Sequence, residues 1–569
     1  MLLGNTWRVV IRSARSYATA ASAPTPRWQR YGRRLAYLSL GVGAVYTVDR
    51  NFNASALGRS LRTLWACAVI TADYKLNFTP EKSDQIPELH SRVADIMFNL
   101  FTSNGGLYIK IGQAIGANAA FLPRPMQVKF ASLFDDAPQI PYSDVLAVFQ
   151  AEFGKPPSGP GGVFAYFDEK AVASASIAQV HKAQLADGSW VAVKIQKPDV
   201  AIQTEWDLGA YRVVMWLFEK VAFDLPVYFV VDFVSDHLRR ELDFELEAKS
   251  AQRTAEFVAA DPKLSKTTYI PRVYHELTTK RVMTAEWIDG VRLSDRDGIL
   301  RLVDKLGVGT RSVMEPMVEL FSAQMFRWGW VHCDPHPGNV LVRPHPDAPS
   351  RPQIVLLDHG LYVQLTEDFR KDWCGVWEGL LAGEWATVER VTRKWGVGMP
   401  DLFASAVLMR PTRLGRGRPE RDPTKPKDKP MEEMTNYERS VVMKAKLKGF
   451  LLDTDRMPKV LIFLLRNMRM VQGNNKALGS PVNRIKITGF AASRALTHRV
   501  GLWHHARFRA FMFSLDVAFW VARARQWVWR VLGLGAGVGM GFEDEIERSV
   551  RGLAKSSFGM DVGPEAFEG

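Results

Sequence analysis

Cysteine is scarce in this chain. Cys67, Cys333 and Cys374 lie far apart without a CxxC spacing, which excludes a disulfide framework and a cysteine-based zinc site. Acidic residues are missing from Met1 to Val48, the first being Asp49. The uncharged run Leu35–Val48 (LAYLSLGVGAVYTV) has 14 residues, short of the ~20 that a helix needs to cross a bilayer core. No internal repeat stands out. What remains is 47% apolar and 24% charged over 569 residues. Such a composition excludes a mainly disordered or fibrous chain and, at ~100–200 residues per domain, predicts two to four units.

The net charge of +14 is concentrated at the ends. Arg8, Arg12, Arg15, Arg27, Arg30, Arg33 and Arg34 stand in the acid-free N-terminus, amid Ser and Ala. That composition is the signature of a mitochondrial import presequence, with Arg15–Ser22 (RSYATAAS) as a processing region. The following apolar run is an anchor candidate at the inner membrane, a buried helix or a second part of the targeting signal being the rival readings. Near the other end, nine basic residues from Arg484 to Arg530 face a lone Asp516, interleaved with Trp503, Phe508, Phe511, Phe513, Phe519, Trp520, Trp527 and Trp529. Basic and aromatic residues together fit a nucleic-acid surface, a helix on anionic lipid, or packed helices with solvated arginines. We expect no nucleic-acid partner. The middle of the chain is close to neutral, so the basicity carries no chemistry.

Pattern and punctuation divide the chain into a presequence (1–34), an apolar segment and linker (35–79), a helical extension (80–154), a β-containing lobe (155–290), a helical lobe (291–480) and basic aromatic helices (481–569). KPPSGPGG at Lys155–Gly162 is a Pro/Gly break. Gln179–Gln184 and Trp190–Gln196 alternate in polarity across Asp187-Gly188 and predict a hairpin. Helical periodicity follows at Ala201–Val221 and Val231–Ala259, and short strands are expected at Val340–Arg343 and Gln353–Leu357. Arg410–Pro430 reads as a Pro- and charge-rich loop.

The chemistry concentrates in WVHCDPHPGNVLV (Trp330–Val342) and IVLLDHG (Ile354–Gly360). Asp334 and Asn339 stand five apart before a strand, and Asp358 ends a second one. One carboxylate near an attacking group, plus an Asn and a second carboxylate as oxygen ligands for Mg2+, is the inventory of phosphoryl transfer from ATP. Kinase loops carry the same offsets as HRDxxxxN and DFG. The alternative, zinc on His332, Cys333, Asp334 and His336, lacks a second ligand cluster. In WVAVKIQ, Lys194 sits on a strand after the hairpin, placed to hold phosphates. A helical acid from ELDFELEA (Glu241–Ala248) should reach it; Asp243 and Glu247 share a helix face, whereas Glu241 does not. Where a glycine-rich phosphate loop is expected, the sequence reads AVASASIAQVH, Ala171 to His181, with no glycine. Phosphate grip should therefore differ from that of an ordinary protein kinase.

These motifs together resemble the UbiB/AarF (coenzyme Q8-type) atypical kinase-like family, in its mitochondrial AarF-domain branch, over roughly Gly105 to Leu365. The family's KxGQ element is matched by Lys110, Gly112 and Gln113, its alanine-rich loop by Ala173, Ser174 and Ala175, and its ExD element by Glu241 and Asp243. The resemblance implies an α+β, two-lobed, protein-kinase-like fold: a small β-containing N-lobe and a larger helical C-lobe, with the KxGQ extension before them and helices after. It further implies that Glu247 partners Lys194, that Lys110 pairs with Glu241 or Asp243 as a lid, and that the backbone at Glu286–Trp287 is the adenine hinge. Asp334 would be the catalytic carboxylate, with Asn339 and Asp358 as the metal ligands. ATP and Mg2+ are the expected cofactors, with a membrane lipid or quinone-related acceptor and a role in lipid or coenzyme Q homeostasis. A weakly catalytic ATP-gated scaffold is the alternative. A small-molecule kinase of the aminoglycoside-phosphotransferase type has a similar catalytic loop, but the KxGQ element argues against it.

Overall fold

The computed structural model describes residues 27–116, 122–130, 133, 138–398, 400–410, 412, 433–451, 453–495, 502–532, 540–553 and 563. The processing region and nearly all of Arg410–Pro430 lie outside these residues. The chain forms two compact units, Met1–Arg59 and Ser60–Gly569.

In the first unit the apolar run falls within one helix, Arg27–Phe52. Its apolar side chains stay in solvent: Leu38 is 66% exposed and Leu40 70%. The helix ends where Asp49 accepts from the Asn53 side chain and from the Leu57 and Gly58 N–H groups. Among the described residues, no helix is long and apolar enough to cross a membrane.

The second unit has the two-lobed kinase-like fold. Strands β1 (Tyr166–Phe167), β2 (Ala173–Ser174), β3 (Ala178–Gln184), β4 (Trp190–Gln196) and β6 (Val282–Glu286) form an antiparallel sheet in the order β1-β3-β4-β6, with β2 also on β3. β5 (Thr268–Tyr269) belongs to a second sheet with β7 (Val291–Arg292), β9 (Val340–His345) and β10 (Ala348–Leu356). The expected hairpin is present: β3 and β4 alternate buried and accessible residues, and Gly188 takes the left-handed conformation (φ +87°) its turn requires. Val145, Phe149, Phe164, Val191, Val193 and Ile195 form the N-lobe core. A larger core, centred on Trp373, Trp377 and Phe326, holds the C-lobe.

Two sequence expectations are revised. The helical pattern over Val231–Ala259 is two helices, Val231–Arg240 and Phe244–Ala260, because Asp243 leaves helical geometry to cap the second one, accepting from the Glu245 and Leu246 N–H groups. The Ala201–Val221 pattern starts earlier, at Pro198, and loosens to a π-turn at Phe218–Phe223. The basic aromatic region contains a 30-residue helix, Leu502–Val531. It buries Phe508, Met512, Leu515 and Phe519 against the C-lobe and leaves Trp503, Phe513, Trp520 and Trp527 exposed.

Candidate active site

Strand register builds the N-lobe side of the site. Ala173 lies opposite Val180, Val180 opposite Lys194, and Lys194 opposite Met283, so these residues share one sheet face. The Lys194 ammonium donates to both carboxylate oxygens of Glu247, each at 2.8 Å, and lies 3.9 Å from Asp358 Oδ1. Glu247, 3% exposed, comes from the first turns of the Phe244–Ala260 helix. Burial disfavours the charged form of Lys194, but the Asp358 and Glu247 carboxylates outweigh it and hold its pKa above the ordinary value. Burial raises Glu247 above the ordinary carboxylate value, against the pull of Lys194. Burial would raise Asp358 too, yet Lys194, Lys110 and the Gly360 N–H hold it well below the usual range.

The C-lobe side is a meeting of loop ends. β8 (Trp330–His332) pairs with β11 (Tyr362–Gln364), and β9 with β10, so Leu356 faces Val340. The Asp334–Asn339 loop and Asp358 therefore leave the sheets at neighbouring ends, and the Leu357 N–H donates to the Asn339 carbonyl at 2.9 Å. His332 pins this loop. Its Nδ1 accepts from the Asp334 N–H at 3.0 Å; a carbonyl only accepts, so Nε2 must carry the proton it gives to the Asp358 oxygen at 2.8 Å. His359, standing where kinases carry an aromatic ring, is fixed the same way. Its Nε2 donates to the Leu356 carbonyl at 3.1 Å and its Nδ1 accepts from the Tyr362 hydroxyl at 2.9 Å. Burial keeps both imidazoles neutral, lowering His359 to about 3. With both His332 nitrogens engaged and the Cys333 thiol buried, the zinc reading loses its ligands; no cluster of three metal-binding side chains occurs among the described residues.

Asp334, 18% exposed, is held by Arg466, whose Nη2 lies 2.9 Å from Oδ1. Burial raises this carboxyl, but Arg466 and Lys110 prevail and hold it below its ordinary value. A carboxylate so paired orients an attacking group better than it removes its proton.

The KxGQ helix, Leu107–Gly116, brings Lys110 to Glu241 at 3.0 Å, with the two side chains 15% and 14% exposed. Glu241 and Glu247 thus serve two different lysines. Gly112 is required for space: a Cβ there would lie 2.5 Å from Leu133 Cδ1 and 2.8 Å from Phe101 Cδ2. Gln113 donates to the Leu133 carbonyl at 3.1 Å. Gly360 lets the acids converge, since a Cβ would meet Asp358 Oδ1 at 3.2 Å and Glu241 Cγ at 3.4 Å.

The alanine-rich loop closes tightly, the Ala175 N–H donating to the Ala178 carbonyl at 2.8 Å, while the Ser174 hydroxyl reaches the Pro138 carbonyl at 3.2 Å. The Ser176 hydroxyl is buried without a hydrogen-bond partner among the described residues. At the expected hinge, two backbone donors are engaged within the protein. The Glu286 N–H is taken by the Arg272 carbonyl and the Trp287 N–H by the Trp190 carbonyl, because the sheet's hydrogen bonding runs on past β6.

Sequence reasoning did not bring the helix Val460–Ala477, which lies in the expected helical lobe, to the site. Besides Arg466, it supplies Asn467 Nδ2 to the His332 carbonyl at 2.5 Å and Asn474 Nδ2 to the Pro335 carbonyl at 3.0 Å. The asparagines in RNMRMVQGNN, polar positions inside an apolar helix, were the available signal.

Known proteins resemble this chain over most of its length. The profile of the ABC1 atypical kinase-like domain matches residues 132–392. An ABC1 family protein of Schizosaccharomyces pombe is 38% identical over 493 residues, 87% of this chain and 88% of its own. The ABC1 family protein lscO of Purpureocillium lilacinum is 38% identical over 529 residues, 87% of each chain. AarF domain-containing protein kinase 1 of Xenopus tropicalis is 35% identical over 367 residues, 63% of this chain and 67% of its own.

Proposed function

Because the chain belongs to the ABC1 atypical kinase-like family, we propose that it binds Mg-ATP and either hydrolyses it or transfers phosphate to a small or lipid-linked acceptor. The observation that carries this reading is the assembled Lys194–Glu247 pair with Asp358 at 3.9 Å from the ammonium. A kinase-like site aligns nucleotide phosphates with this constellation. The residues present suit the cofactor. Lys194 is a charged donor for phosphate oxygens, Asn339 and Asp358 are oxygen ligands of the kind Mg2+ takes, and the unpartnered Ser176 hydroxyl is a donor in the loop that would cover them. When bound, Mg2+ would neutralise charge on the transferred phosphoryl group. Asp334 would orient the attacking hydroxyl or water.

A second reading, an ATP-gated scaffold, is favoured by the KxGQ helix, which ties Lys110 to Glu241 beside the acids of the site. The acid-free N-terminus and the exposed aromatic face at Trp503–Trp527 support action at a mitochondrial membrane, on a lipid or quinone-related acceptor. The decisive experiment is Mg-ATP titration of the wild type and Asp358→Asn, with ATP turnover measured with and without liposomes. Binding lost in the variant supports the nucleotide site; unchanged Mg-ATP affinity removes Asp358 from it. Binding without turnover under every condition would favour the scaffold.

A further inference from the structure

The arginine that holds Asp334 has a second arginine close enough to repel it. Arg466 and Arg469 stand three apart on the Val460–Ala477 helix and therefore share a face. Arg466 is 13% exposed and spends Nη2 on Asp334, while its Nε is sealed from solvent with no hydrogen-bond partner among the described residues. Among the described residues, Arg469 Nη1 is sealed without a hydrogen-bond partner and no carboxylate pairs with this side chain. Burial and the neighbouring Arg466 press its pKa down to about 10. A desolvated guanidinium beside another is costly unless an anion joins them. Both lie outside the matched ABC1 domain, which ends at 392.

We propose that Arg466 and Arg469 form an anion subsite beside Asp334 that takes a phosphate monoester group of the acceptor. Two guanidiniums with unspent donors against one carboxylate match a dianionic tetrahedral group, whose oxygens can be shared between two forks. Binding there would draw Arg466 from Asp334, leaving the carboxylate free to orient the acceptor's hydroxyl. This assignment deepens the phosphotransfer reading and rests on it for the acceptor's role; the anion site is measurable without nucleotide.

The test is calorimetric titration of the full-length protein with inorganic phosphate, without nucleotide and with saturating Mg-ADP. Wild type should bind phosphate in both conditions. Arg469→Gln should bind at least about tenfold more weakly, the scale of one charge-assisted hydrogen bond. Asp334→Asn should bind several-fold more tightly, because it removes the carboxylate that competes for Arg466; a merely structural role for the arginines would not produce that gain. Should Arg469→Gln fail to fold, Arg469→Lys, which keeps the charge and loses the fork, should weaken binding about threefold. Equal phosphate affinity in wild type and the Arg469 variants, or no phosphate binding by wild type, overturns the proposal. Absence of Mg-ADP binding would instead count against the nucleotide site. Cosedimentation with phosphatidylcholine vesicles, with and without phosphatidate, separates the sources. Retention by phosphatidate that Arg469→Gln abolishes assigns a lipid headgroup, and phosphate binding without such retention assigns a soluble ester.

Discussion

Replacing Lys110 with Met should release the KxGQ helix from the site. The Lys110–Glu241 contact is 3.0 Å long with each side chain about 15% exposed. At an effective dielectric constant near 20, such a pair attracts by ~5.5 kcal/mol before desolvation is counted. Removing one member of a mostly buried pair costs ~3–5 kcal/mol, because the other charge is left uncompensated. Here the residual exposure of both side chains favours the lower end, about 3 kcal/mol. The assay is native-state hydrogen exchange at Leu107–Gln113, which reads opening of this helix without requiring global two-state unfolding. A loss of about 3 kcal/mol speeds exchange roughly a hundredfold. Glu241→Gln should do nearly the same, and the double variant should recover about 2 kcal/mol of the summed cost. A coupling below about 0.5 kcal/mol would refute the argument that this pair fastens the lid.

Three further outcomes follow from the packing. Gly112→Ala should lower stability by ~1–3 kcal/mol, since Leu133 and Phe101 have to move aside, and differential scanning calorimetry will detect it. Asn467→Ala leaves the His332 carbonyl unpaired in a buried place and should cost ~1–3 kcal/mol while slowing any ATP turnover, measured by phosphate release. Acid should loosen the same loop. His359, neutral when folded with a pKa of about 3, takes a proton near 6.5 when unfolded, so stability falls as pH drops from 6.5. The slope approaches about 1.4 kcal/mol per pH unit for His359, with His332 shifted in the same direction. Urea midpoints at pH 7 and pH 5 check it, and His359→Phe should flatten the difference.

Much of the site was legible because its signals are local. Alternation of polarity marks β3 and β4, Asp-Gly marks the turn between them, and the spacing of Asp334, Asn339 and Asp358 follows from the strands they border. The helix break at Glu241–Asp243 was less visible, since periodicity runs smoothly across it and only the capping geometry of Asp243 interrupts it. His359 looked like a departure from the aromatic of related loops; in three dimensions it is a neutral, twice-bonded ring stacked on Tyr362.

The sequence by itself determined which side chains are able to do phosphoryl chemistry, where the chain carries its charge, and which strands alternate, because those properties depend on residue type and near neighbours. Only the tertiary structure decided which acid meets which lysine, and that Arg466, 132 residues from Asp334, closes on it. An arginine on a helix reads locally as a solvated charge. Its meaning changed when packing removed the water around it and left a carboxylate as its partner, and no spacing along the chain encodes that exchange.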